Sequence, residues 1–448
     1  MIKLFVDRCQ ALCYIENIYD IRSMMEQLEV LRMLENSDER LVKLGVIGVG
    51  GRAIGLIDSL AQMKGVEITA LCDLIEERMQ EGIQAIRQYA DYPVSCYTDY
   101  RDLLKREEIE GVIIATSWNE HVKIAIASMR AGKYTGFEVG GASSIRQCWD
   151  LVRAYEETGS PCMMLENCCY GQSELAILNM IRKGLFGEII HCEGGYEHDL
   201  RGVAERIHMG YQRSYHHMYR NADLYPTHEI GPIAKYLNIN RGNRFLTLTS
   251  TASKSRGLDI RAANAYGENS PIWRHHALGD IITTVIKCAN GETVTISHDT
   301  SLPRPYSRGN AVHGTNGIWM ELNHSVYFQP ENFTTEDEST EIVEHNWENA
   351  DPYIEKYQHP IWDRFLHDGV TGGHGGMDYL VLSAFVYSVR HRIGLPIDVY
   401  DSATWLAITC LSEESIAKGS MPVSVPDFTD GAWIHREPMP HSPYSLDE

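Results

Sequence analysis

A phenol and an imidazole stand three positions apart in the segment Tyr225-Pro226-Thr227-His228. Pro226 fixes its own φ and biases Tyr225 toward extended backbone. Imidazole titrates near neutral pH, so His228 is suited to relay protons to and from a bound molecule. The alternative is a structural turn in which Thr227 caps a following helix. The segment on its own leaves both interpretations open.

A second phenol, Tyr196, ends a strand-like run that begins at Ile189 and precedes the polar residues Glu197, His198 and Asp199. On its own it could equally be an ordinary strand aromatic above a solvated loop. Two histidine pairs, at 216–217 and 275–276, lack the spacing of zinc ligands, and no His-Glu-x-x-His helix is present. The sequence therefore predicts no catalytic metal.

A glycine-rich stretch provides the clearest motif. The apolar run 44–47 is of strand type, Gly48, Gly50 and Ala53 follow in the spacing G-x-G-x-x-A, and apolar residues then recur at helical spacing. A strand, a glycine turn and a helix in this order are typical of the start of a dinucleotide-binding unit. Glycine allows the backbone to approach a pyrophosphate, and the helix N-terminus offers free N–H groups to it.

Asp73 strengthens this interpretation. It follows the predicted second strand, Val66–Cys72, and lies 25 residues after Gly48. An acidic residue at about this distance binds the hydroxyls of the adenosine ribose and would repel a 2′-phosphate, so NAD is favoured over NADP. The alternative is a glycine turn in an unrelated α/β protein, with Asp73 as a helix cap.

Strands and helices alternate from Val42 to about residue 165, which predicts an α/β fold with a doubly wound parallel sheet, and ligands at the carboxyl ends of its strands. Ser117 to His121, Glu138, and the pair Glu166-Asn167 fall at such ends. We predict an N-terminal helical extension at residues 1–40 and a Rossmann domain at 41–167.

The remaining residues, 168–448, are predicted to form an α+β domain with a mainly antiparallel open sheet. Its strands include Asp280–Cys288 and Glu292–His298, joined by an Ala-Asn-Gly hairpin turn. Residues 329–370 look like a long loop region. A helix opens near His374, and a final helix, Ser402–Lys418, is expected to return to the first domain.

Composition excludes several classes of protein. The 448 residues carry a formal net charge of −21, which disfavours nucleic acid or an anionic membrane as a partner. No apolar run approaches the ~20 residues of a membrane span. The acidic N-terminal segment is unlike a secretory signal. The 11 cysteines include no Cys-x-x-Cys pair, so we expect reduced thiols and a cytoplasmic location.

The chain resembles glycoside hydrolase family 109, within the glucose–fructose oxidoreductase/inositol dehydrogenase superfamily. The resemblance extends from Val42 to about Phe428 and leaves residues 1–40 outside. It is carried by six stretches: Met163-Met-Leu-Glu-Asn167, Tyr196-Glu-His-Asp-Leu-Arg201, Leu224-Tyr-Pro-Thr-His-Glu-Ile-Gly-Pro232, His298-Asp-Thr-Ser-Leu-Pro-Arg-Pro-Tyr306, Gly373-His-Gly-Gly-Met-Asp-Tyr379 and Asp398-Val-Tyr-Asp401.

The resemblance implies two sets of binding residues. NAD contacts are expected, beside Gly48 and Gly50 of the glycine motif, at Gly51, Arg52, Asp73, Trp118, Asn119, Glu120, His121, Glu138, Val139 and Asn167. Sugar contacts are expected at Tyr196, Arg213, Tyr225, Pro226, Thr227, His228 and Tyr306. The tripeptide Arg304-Pro305-Tyr306 could, on its own residues, also be a plain loop.

Two departures from the pattern bear on the site. The superfamily's dehydrogenases carry Glu-Lys-Pro after the fourth strand, whereas this chain has Glu138-Val139-Gly140. The lysine that those dehydrogenases use beside the sugar is therefore missing, and so is the proline. The segment between Arg201 and Arg213 is also short for the family, so the rim of the pocket is expected to differ.

As the resemblance implies, the chain is a glycosidase that releases a terminal N-acetylhexosamine, with α-linked N-acetylgalactosamine expected. The sugar is oxidised at C3 by bound NAD, loses the C2 proton and the C1 substituent, takes up water and is reduced again at C3. Tyr196 is assigned as the acid/base at C2 and His228 as the proton relay at the C3 hydroxyl. Tyr225 and Glu166 are assigned as supporting groups. The superfamily commonly dimerises through the open sheet face, so a homodimer or higher homo-oligomer is expected.

Three alternatives remain open from the sequence. A net NAD-dependent sugar oxidoreductase would oxidise C3 and release NADH. A paired-carboxylate glycosidase could use Glu166 and Asp199, but the distance between them is unknown and the dinucleotide unit would have no role. A non-enzymatic NAD-binding module would show neither activity.

Overall fold

The computed structural model describes residues 40–140, 142–204, 206, 211–267, 276–329, 346–368, 373–439 and 442–447. Except for Arg40, the predicted helical extension at residues 1–40 lies outside them. The described chain contains two sheets, one of six strands and one of nine.

The first sheet is parallel throughout, with the strand order β3-β2-β1-β4-β5-β6. Its strands are β1 Val42–Ile47, β2 Val66–Cys72, β3 Ser95–Tyr97, β4 Gly111–Ile114, β5 Tyr134–Phe137 and β6 Cys162–Met164. The helices between them are α1 Gly51–Ala61, α2 Glu76–Arg87, α3 Tyr100–Leu104, α4 Trp118–Arg130 and α5 Ile145–Thr158. Strands such as β4 are buried along their whole length, as expected for parallel strands covered on both faces. The predicted doubly wound sheet is confirmed.

The second sheet has the order β14-β13-β12-β11-β7-β10-β9-β8-β15. Only the neighbours β7 and β10 run parallel among these strands, and their register places Tyr196 beside His298. The strands are β7 Ile189–Glu197, β8 Phe245–Ala252, β9 Ile281–Cys288, β10 Thr293–Asp299, β11 Ala311–Gly314, β12 Gly317–Met320, β13 Ser325–Phe328, β14 Glu348–Asn349 and β15 Val423–Ser424. The predicted, mainly antiparallel sheet and the β9–β10 hairpin are confirmed.

The chain after β6 also contributes helices, some of which pack on this sheet. The helices are α6 Gln172–Arg182, α7 Arg201–Ala204, α8 Gln212–Tyr219, α9 Thr227–Tyr236, α10 Gly257–Tyr266, α11 Asp351–Lys356, α12 Pro360–Asp368, α13 Met377–His391 and α14 Val399–Ala417. Helix α9 packs on β7, and α13 packs on α1 of the first layer. Helix α14 contacts α5 and β6 as well as β8, so it joins the two layers.

The opposite face of the second sheet is exposed at β9 and β10. In β9 the exposed positions are Thr283, Val285 and Lys287, and they alternate with buried residues. The adjacent positions of β10, Thr293 and Thr295, are partly exposed. The open face is therefore rich in threonine rather than broadly apolar.

The predicted loop at residues 329–370 is wrong where that segment is described. Residues 348–368 form β14, α11 and α12. The apolar side chains Ile354 of α11 and Ile361 and Phe365 of α12 are buried against the main core. The loop was predicted from the polar, acidic composition of this segment, and its buried apolar residues were given too little weight. The final helix begins three residues earlier than predicted because Asp398 caps it, accepting hydrogen bonds from the N–H groups of Tyr400 and Asp401.

Candidate active site

Helix α9 brings His228 to the carboxyl ends of the first sheet. His228 lies in its first turn, and Gly231, one turn later, faces the 3₁₀ turn Asn167–Tyr170. A Cβ at Gly231 would lie 2.8 Å from Cys169 Sγ and 2.9 Å from Glu166 Cγ. Because glycine permits this close approach, His228 Nδ1 reaches Glu166 Oε1 at 2.6 Å.

The Glu166–His228 contact is an ion pair in a buried setting. Burial would raise the pKa of Glu166, but the charge of His228 lowers it below its ordinary value. Burial would lower the pKa of His228, but attraction from Cys168 and Glu166 raises it well above its ordinary value. The hydrogen bond occupies Nδ1, so Nε2 is the ring nitrogen available to a bound molecule.

A cluster of aromatic rings and one guanidinium surrounds this pair. The Tyr196 ring lies 4.4 Å from that of Tyr225 and 5.5 Å from that of His228. Arg213 Cζ lies 4.6, 5.0 and 5.6 Å from the ring centroids of Tyr225, Trp118 and Tyr196. These distances fall within the range of cation–π contacts.

Arg213 has unused hydrogen-bonding capacity. Its Nε and Nη2 are buried and have no hydrogen-bond partner among the described residues. A buried donor without a partner is costly, which indicates a place for ligand oxygen atoms. Tyr306 lies at the rim, half exposed, with its ring 6.5 Å from that of Tyr196. Pro226 and Thr227 are buried where α9 begins, at one side of the cluster.

The glycine turn fits a dinucleotide. Gly48 has a φ of +86°, and a Cβ there would come within 2.7 Å of the Ala115 carbonyl oxygen. Side chains added at Gly50 and Gly51 would meet nothing within 4 Å, so this side of the turn is open. No side chain caps the N-terminus of α1, which leaves its N–H groups for phosphate oxygens. Asp73 Oδ2 accepts a hydrogen bond from Val49 N–H at 2.7 Å and fixes the turn.

An ion-pair network joins three of the residues predicted to contact NAD. Arg52 pairs with Glu138 Oε1 at 2.8 Å and with both carboxylate oxygens of Asp378. Asn167 Nδ2 donates to Asp378 Oδ1 at 2.8 Å. Burial would raise the pKa of Asp378, but hydrogen bonds from His374 and Arg52 lower it. The sequence interpretation missed Asp378, although it lies in the quoted motif Gly373–Tyr379.

The four residues of the segment Trp118–His121 lie in different environments. Only Trp118 joins the aromatic cluster. Asn119 is exposed, and Glu120 pairs with Lys123 at the surface. His121 is buried, with Nε2 3.0 Å from the Thr116 carbonyl oxygen, and burial lowers its pKa to about 4. His121 therefore supports the turn as a neutral side chain.

Gly140 explains the departure from the Glu-Lys-Pro pattern. A Cβ at this position would overlap the indole of Trp118. The ring of Trp118 thus occupies space that a proline would need. Val139 is buried beside it, so no ammonium group projects into the pocket from this position.

The other candidate residues have local partners. Asp199 is held by Arg201 at 2.7 Å, so the proposed carboxylate pair of Glu166 and Asp199 has each member engaged elsewhere. His216 packs on Trp118, and His276 Nδ1 lies 2.7 Å from Asp259 Oδ1. His275 lies outside the described residues.

The fold and the glycine cradle define a dinucleotide-dependent enzyme with a Rossmann sheet and a large second sheet. Residues 42–166 match the oxidoreductase family, NAD-binding Rossmann fold. Residues 170–435 match glycosyl hydrolase 109, C-terminal domain. The chain belongs to glycosyl hydrolase family 109. It is a glycosidase with NAD as cofactor, as predicted. No helix among the described residues is long and apolar enough to cross a membrane.

Curated relatives agree with this assignment. The chain is 42% identical over 423 residues to the α-N-acetylgalactosaminidase of Tannerella forsythia. The aligned region covers 89% of this chain and 88% of that protein. The chain is 38% identical over 408 residues to the α-N-acetylgalactosaminidase of Shewanella oneidensis, with 89% and 87% covered.

Solved structures show the same fold at low identity. Levoglucosan dehydrogenase in complex with NADH superimposes with a TM-score of 0.63 at 19% identity, over 87% of this chain and 100% of that chain. Scyllo-inositol dehydrogenase from Lactobacillus casei, with bound NAD(H) and scyllo-inositol, gives 0.62 at 12% identity, over 86% and 99%.

Proposed function

We propose that this enzyme hydrolyses terminal α-linked N-acetylgalactosamine through transient oxidation of the sugar at C3. The relatives that carry the name α-N-acetylgalactosaminidase support the choice of sugar. The observation that carries the mechanism is the placement of two different acid–base groups, Tyr196 and His228, with ring centroids 5.5 Å apart in one pocket.

The residues present fit NAD along the carboxyl ends of the first sheet. Gly48, Gly50 and Gly51 would receive the phosphates, and Asp73 the ribose. The nicotinamide end would lie toward the Arg52–Glu138–Asn167 network and the turn that starts at Trp118. When bound, NAD supplies a reversible acceptor for hydride at sugar C3.

His228 is placed to move the proton of the C3 hydroxyl. Glu166 accepts the hydrogen bond of Nδ1–H, so the neutral form of the ring has its lone pair on Nε2, on the side of the sugar. This neutral form takes the C3 hydroxyl proton on oxidation, Glu166 stabilises the resulting imidazolium, and the proton returns on reduction. Glu166 therefore acts as a positioning residue, as the third group does in other catalytic sets. Tyr225, whose ring lies 4.9 Å from that of His228, supports the imidazole.

Tyr196 is assigned to the proton at C2. Ketone formation at C3 acidifies this proton, and its loss lets the C1 substituent leave before water adds. A phenol needs a nearby positive charge to act as a base at neutral pH, and Arg213 Cζ lies 5.6 Å from its ring. The free donors of Arg213, with Tyr306 at the rim, would hold the sugar.

A nitrophenyl α-N-acetylgalactosaminide, incubated with purified enzyme and no added NAD, tests the function. Many turnovers per chain without net NADH support the proposal. Formation of at most one NADH per bound NAD, with no further turnover until NAD is added, would instead show a net dehydrogenase. A panel of anomers and of N-acetylglucosaminides then tests the sugar preference, and faster cleavage of another glycoside would overturn it.

We also propose a cytoplasmic homo-oligomer, most simply a dimer, through the open face of the second sheet. The nine described cysteines are unpaired, which suits a reducing compartment. Val285 is 45% exposed at the middle of that face. Light scattering should give a dimer for the wild type and a monomer for Val285→Asp, whereas Leu322→Asp, in the turn after β12, should remain dimeric. A monomeric wild type at micromolar concentration would refute the proposal.

A further inference from the structure

We propose that Glu166, Cys168 and His228 bind a thiophilic divalent cation, with Zn²⁺ as the expected ion, and that this binding inhibits the enzyme. One ligand atom from each side chain lies within 4.8 Å of those of the other two. Carboxylate oxygen, thiolate sulfur and imidazole nitrogen are the donor atoms that zinc takes in proteins. This role is inhibitory, so it is separate from the catalytic metal that the sequence argues against.

The positions of the three donors are set by two elements in close contact. Glu166 and Cys168 flank Asn167 at the 3₁₀ turn, where Glu166 Oε1 also accepts the Cys168 backbone N–H at 3.0 Å. His228 comes from the first turn of α9. Tetrahedral zinc with ordinary bond lengths places its donors about 3.5 Å apart. Shifts of about 1 Å in these side chains would therefore complete the site.

Glu166 supplies an independent sign of a missing ligand. The side chain is fully buried, and Oε2 has no hydrogen bond of ordinary geometry within the described part of the chain. The hydroxyl of Thr227, which also lacks such a bond, is the neighbouring group that interacts with this carboxylate. A buried carboxylate oxygen without a partner is rare in folded proteins and calls for a donor or a cation. A metal ion between Glu166 and His228 would satisfy it.

The charges at the site balance for a divalent ion. A carboxylate and a thiolate together carry two negative charges, so a bound divalent cation leaves these groups neutral in a buried place. Arg308 Nη1 donates to Cys168 Sγ at 3.3 Å. The charge of Arg308 is already matched by Glu174, 2.5 Å away.

The donor set selects among ions. Magnesium and calcium require six or more oxygen ligands and reject thiolate. A set of one sulfur, one nitrogen and one oxygen suits zinc, and cobalt(II) as its spectroscopic substitute. Three protein ligands leave a fourth position open.

The inhibitory part rests on the proposed function. There, His228 must exchange a proton with the C3 hydroxyl, and a metal ion would occupy the imidazole and draw Glu166 away from it. Zinc and the sugar should therefore exclude each other.

A cobalt titration of the NAD-loaded enzyme tests the site without turnover. The wild type should develop one thiolate-to-cobalt charge-transfer band in the near ultraviolet, saturating at one ion per chain and displaced by Zn²⁺. Cys168→Ser should lose this band. Cys169→Ser, a change of the neighbouring buried thiol, should keep it. Retained NAD in each variant shows that the fold is intact. No band in the wild type, or an equal band in Cys168→Ser, would overturn the site.

Inhibition is measured separately. Zn²⁺ should slow glycoside cleavage by the wild type, and a chelator should restore it. Loss of a hydrogen-bond partner of a metal ligand lowers metal affinity by ~10-fold or more, and loss of the ligand itself should cost at least as much. Cys168→Ser should therefore need at least about tenfold more Zn²⁺ for the same fractional inhibition. Cobalt binding without zinc inhibition would refute the inhibitory role. A chain that binds cobalt but cleaves no glycoside would refute the proposed function instead.

Discussion

The guanidinium of Arg52 meets the carboxylate of Asp378 at two points, with Nη1–Oδ2 and Nη2–Oδ1 distances of 2.6 and 2.9 Å. The two residues are 326 positions apart in the chain. Arg52 lies in the first turn of α1, directly after the glycine turn, and Asp378 lies at the start of α13. The contact therefore fixes the helix that faces the phosphates against a helix from the second half of the chain.

Asp378→Asn should weaken NAD binding. The amide cannot hold the guanidinium at two points, and Arg52 would be left with Glu138 alone. Breaking a largely buried pair is strongly destabilising, so we expect the Kd for NADH to rise about tenfold or more. Fluorescence titration with NADH measures this. Glu414→Gln, which removes the exposed pair with Lys418, is the control. Unchanged affinity in Asp378→Asn would show that the network does not hold the cofactor site.

Asp73 should control both affinity and selectivity for the cofactor. Asp73→Ala removes the acceptor of the Val49 N–H and the charge near the ribose, so NAD binding should weaken. Asp73→Asn keeps an acceptor and removes only the charge, so it should bind NADP better relative to NAD than the wild type does. Calorimetry with both cofactors checks this. Equal affinity of the wild type for NAD and NADP would remove the assignment.

His228 and Tyr196 should serve different steps. His228→Ala should block reduction of bound NAD by the sugar, seen as loss of the nicotinamide absorbance change. Tyr196→Phe should allow that reduction but slow both C2 hydrogen exchange in deuterated water and cleavage, by about 10²–10⁴-fold. Tyr89→Phe, at an exposed position in the turn after α2, is the matched control. Wild-type exchange and cleavage in Tyr196→Phe would assign the base to another group.

Gly140→Ala should disturb the sugar pocket through Trp118. The new Cβ overlaps the indole, so the ring must move from its place beside Tyr225 and Arg213. Overpacking of this kind costs about 1–3 kcal/mol, and KM should rise. Gly55→Ala, where a Cβ meets nothing within 4 Å, should be neutral. Position 140 also has a φ of +158°, so part of the loss is backbone strain that does not depend on Trp118. In Gly140→Ala/Trp118→Ala the part caused by the overlap should vanish, and the alanine at 140 should cost less than it does beside the indole; fully additive losses would contradict the overlap.

Asp223 should make stability depend on pH. Burial raises its pKa from 3.8 to about 7, so the folded chain holds this proton more tightly than the unfolded chain. The resulting stabilisation is complete below pH 3.8 and is lost as the pH rises through about 7. Asp223→Asn should therefore raise Tm more at pH 8 than at pH 5, by about 2–4 °C. The exposed Asp91→Asn should show no such difference, and an equal shift at both pH values in Asp223→Asn would contradict the expectation.

Local patterns were enough to predict most of the fold. Apolar runs such as 111–114, together with the glycine turn, predicted most strands of the first sheet to within one or two residues. These strands are buried on both faces, so most of their residues are apolar. The segment 348–368 was missed because its two helices are short and its polar, acidic composition outnumbers the buried apolar residues Ile354, Ile361 and Phe365.

The contacts of the site were less accessible to sequence. Tyr196, Arg213, Tyr225 and His228 were expected at one pocket through family resemblance, and the structure brings them together. The Glu166–His228 pair, 62 positions apart, depends on how α9 packs at Gly231, which no local pattern encodes. The overlap of position 140 with Trp118 is likewise a property of the packed structure.

Tyr196 lies on β7 and His228 on α9, and their spacing is fixed by the packing of these two elements. If the pocket does not adapt, the sugar ring must do so, passing from a puckered chair to a ring flattened around C1, C2 and C3. A 2-acetamido sugar with a double bond between C1 and C2 already has that flattened shape. We therefore expect such unsaturated sugars to be better starting points for inhibitors than saturated mimics of the substrate.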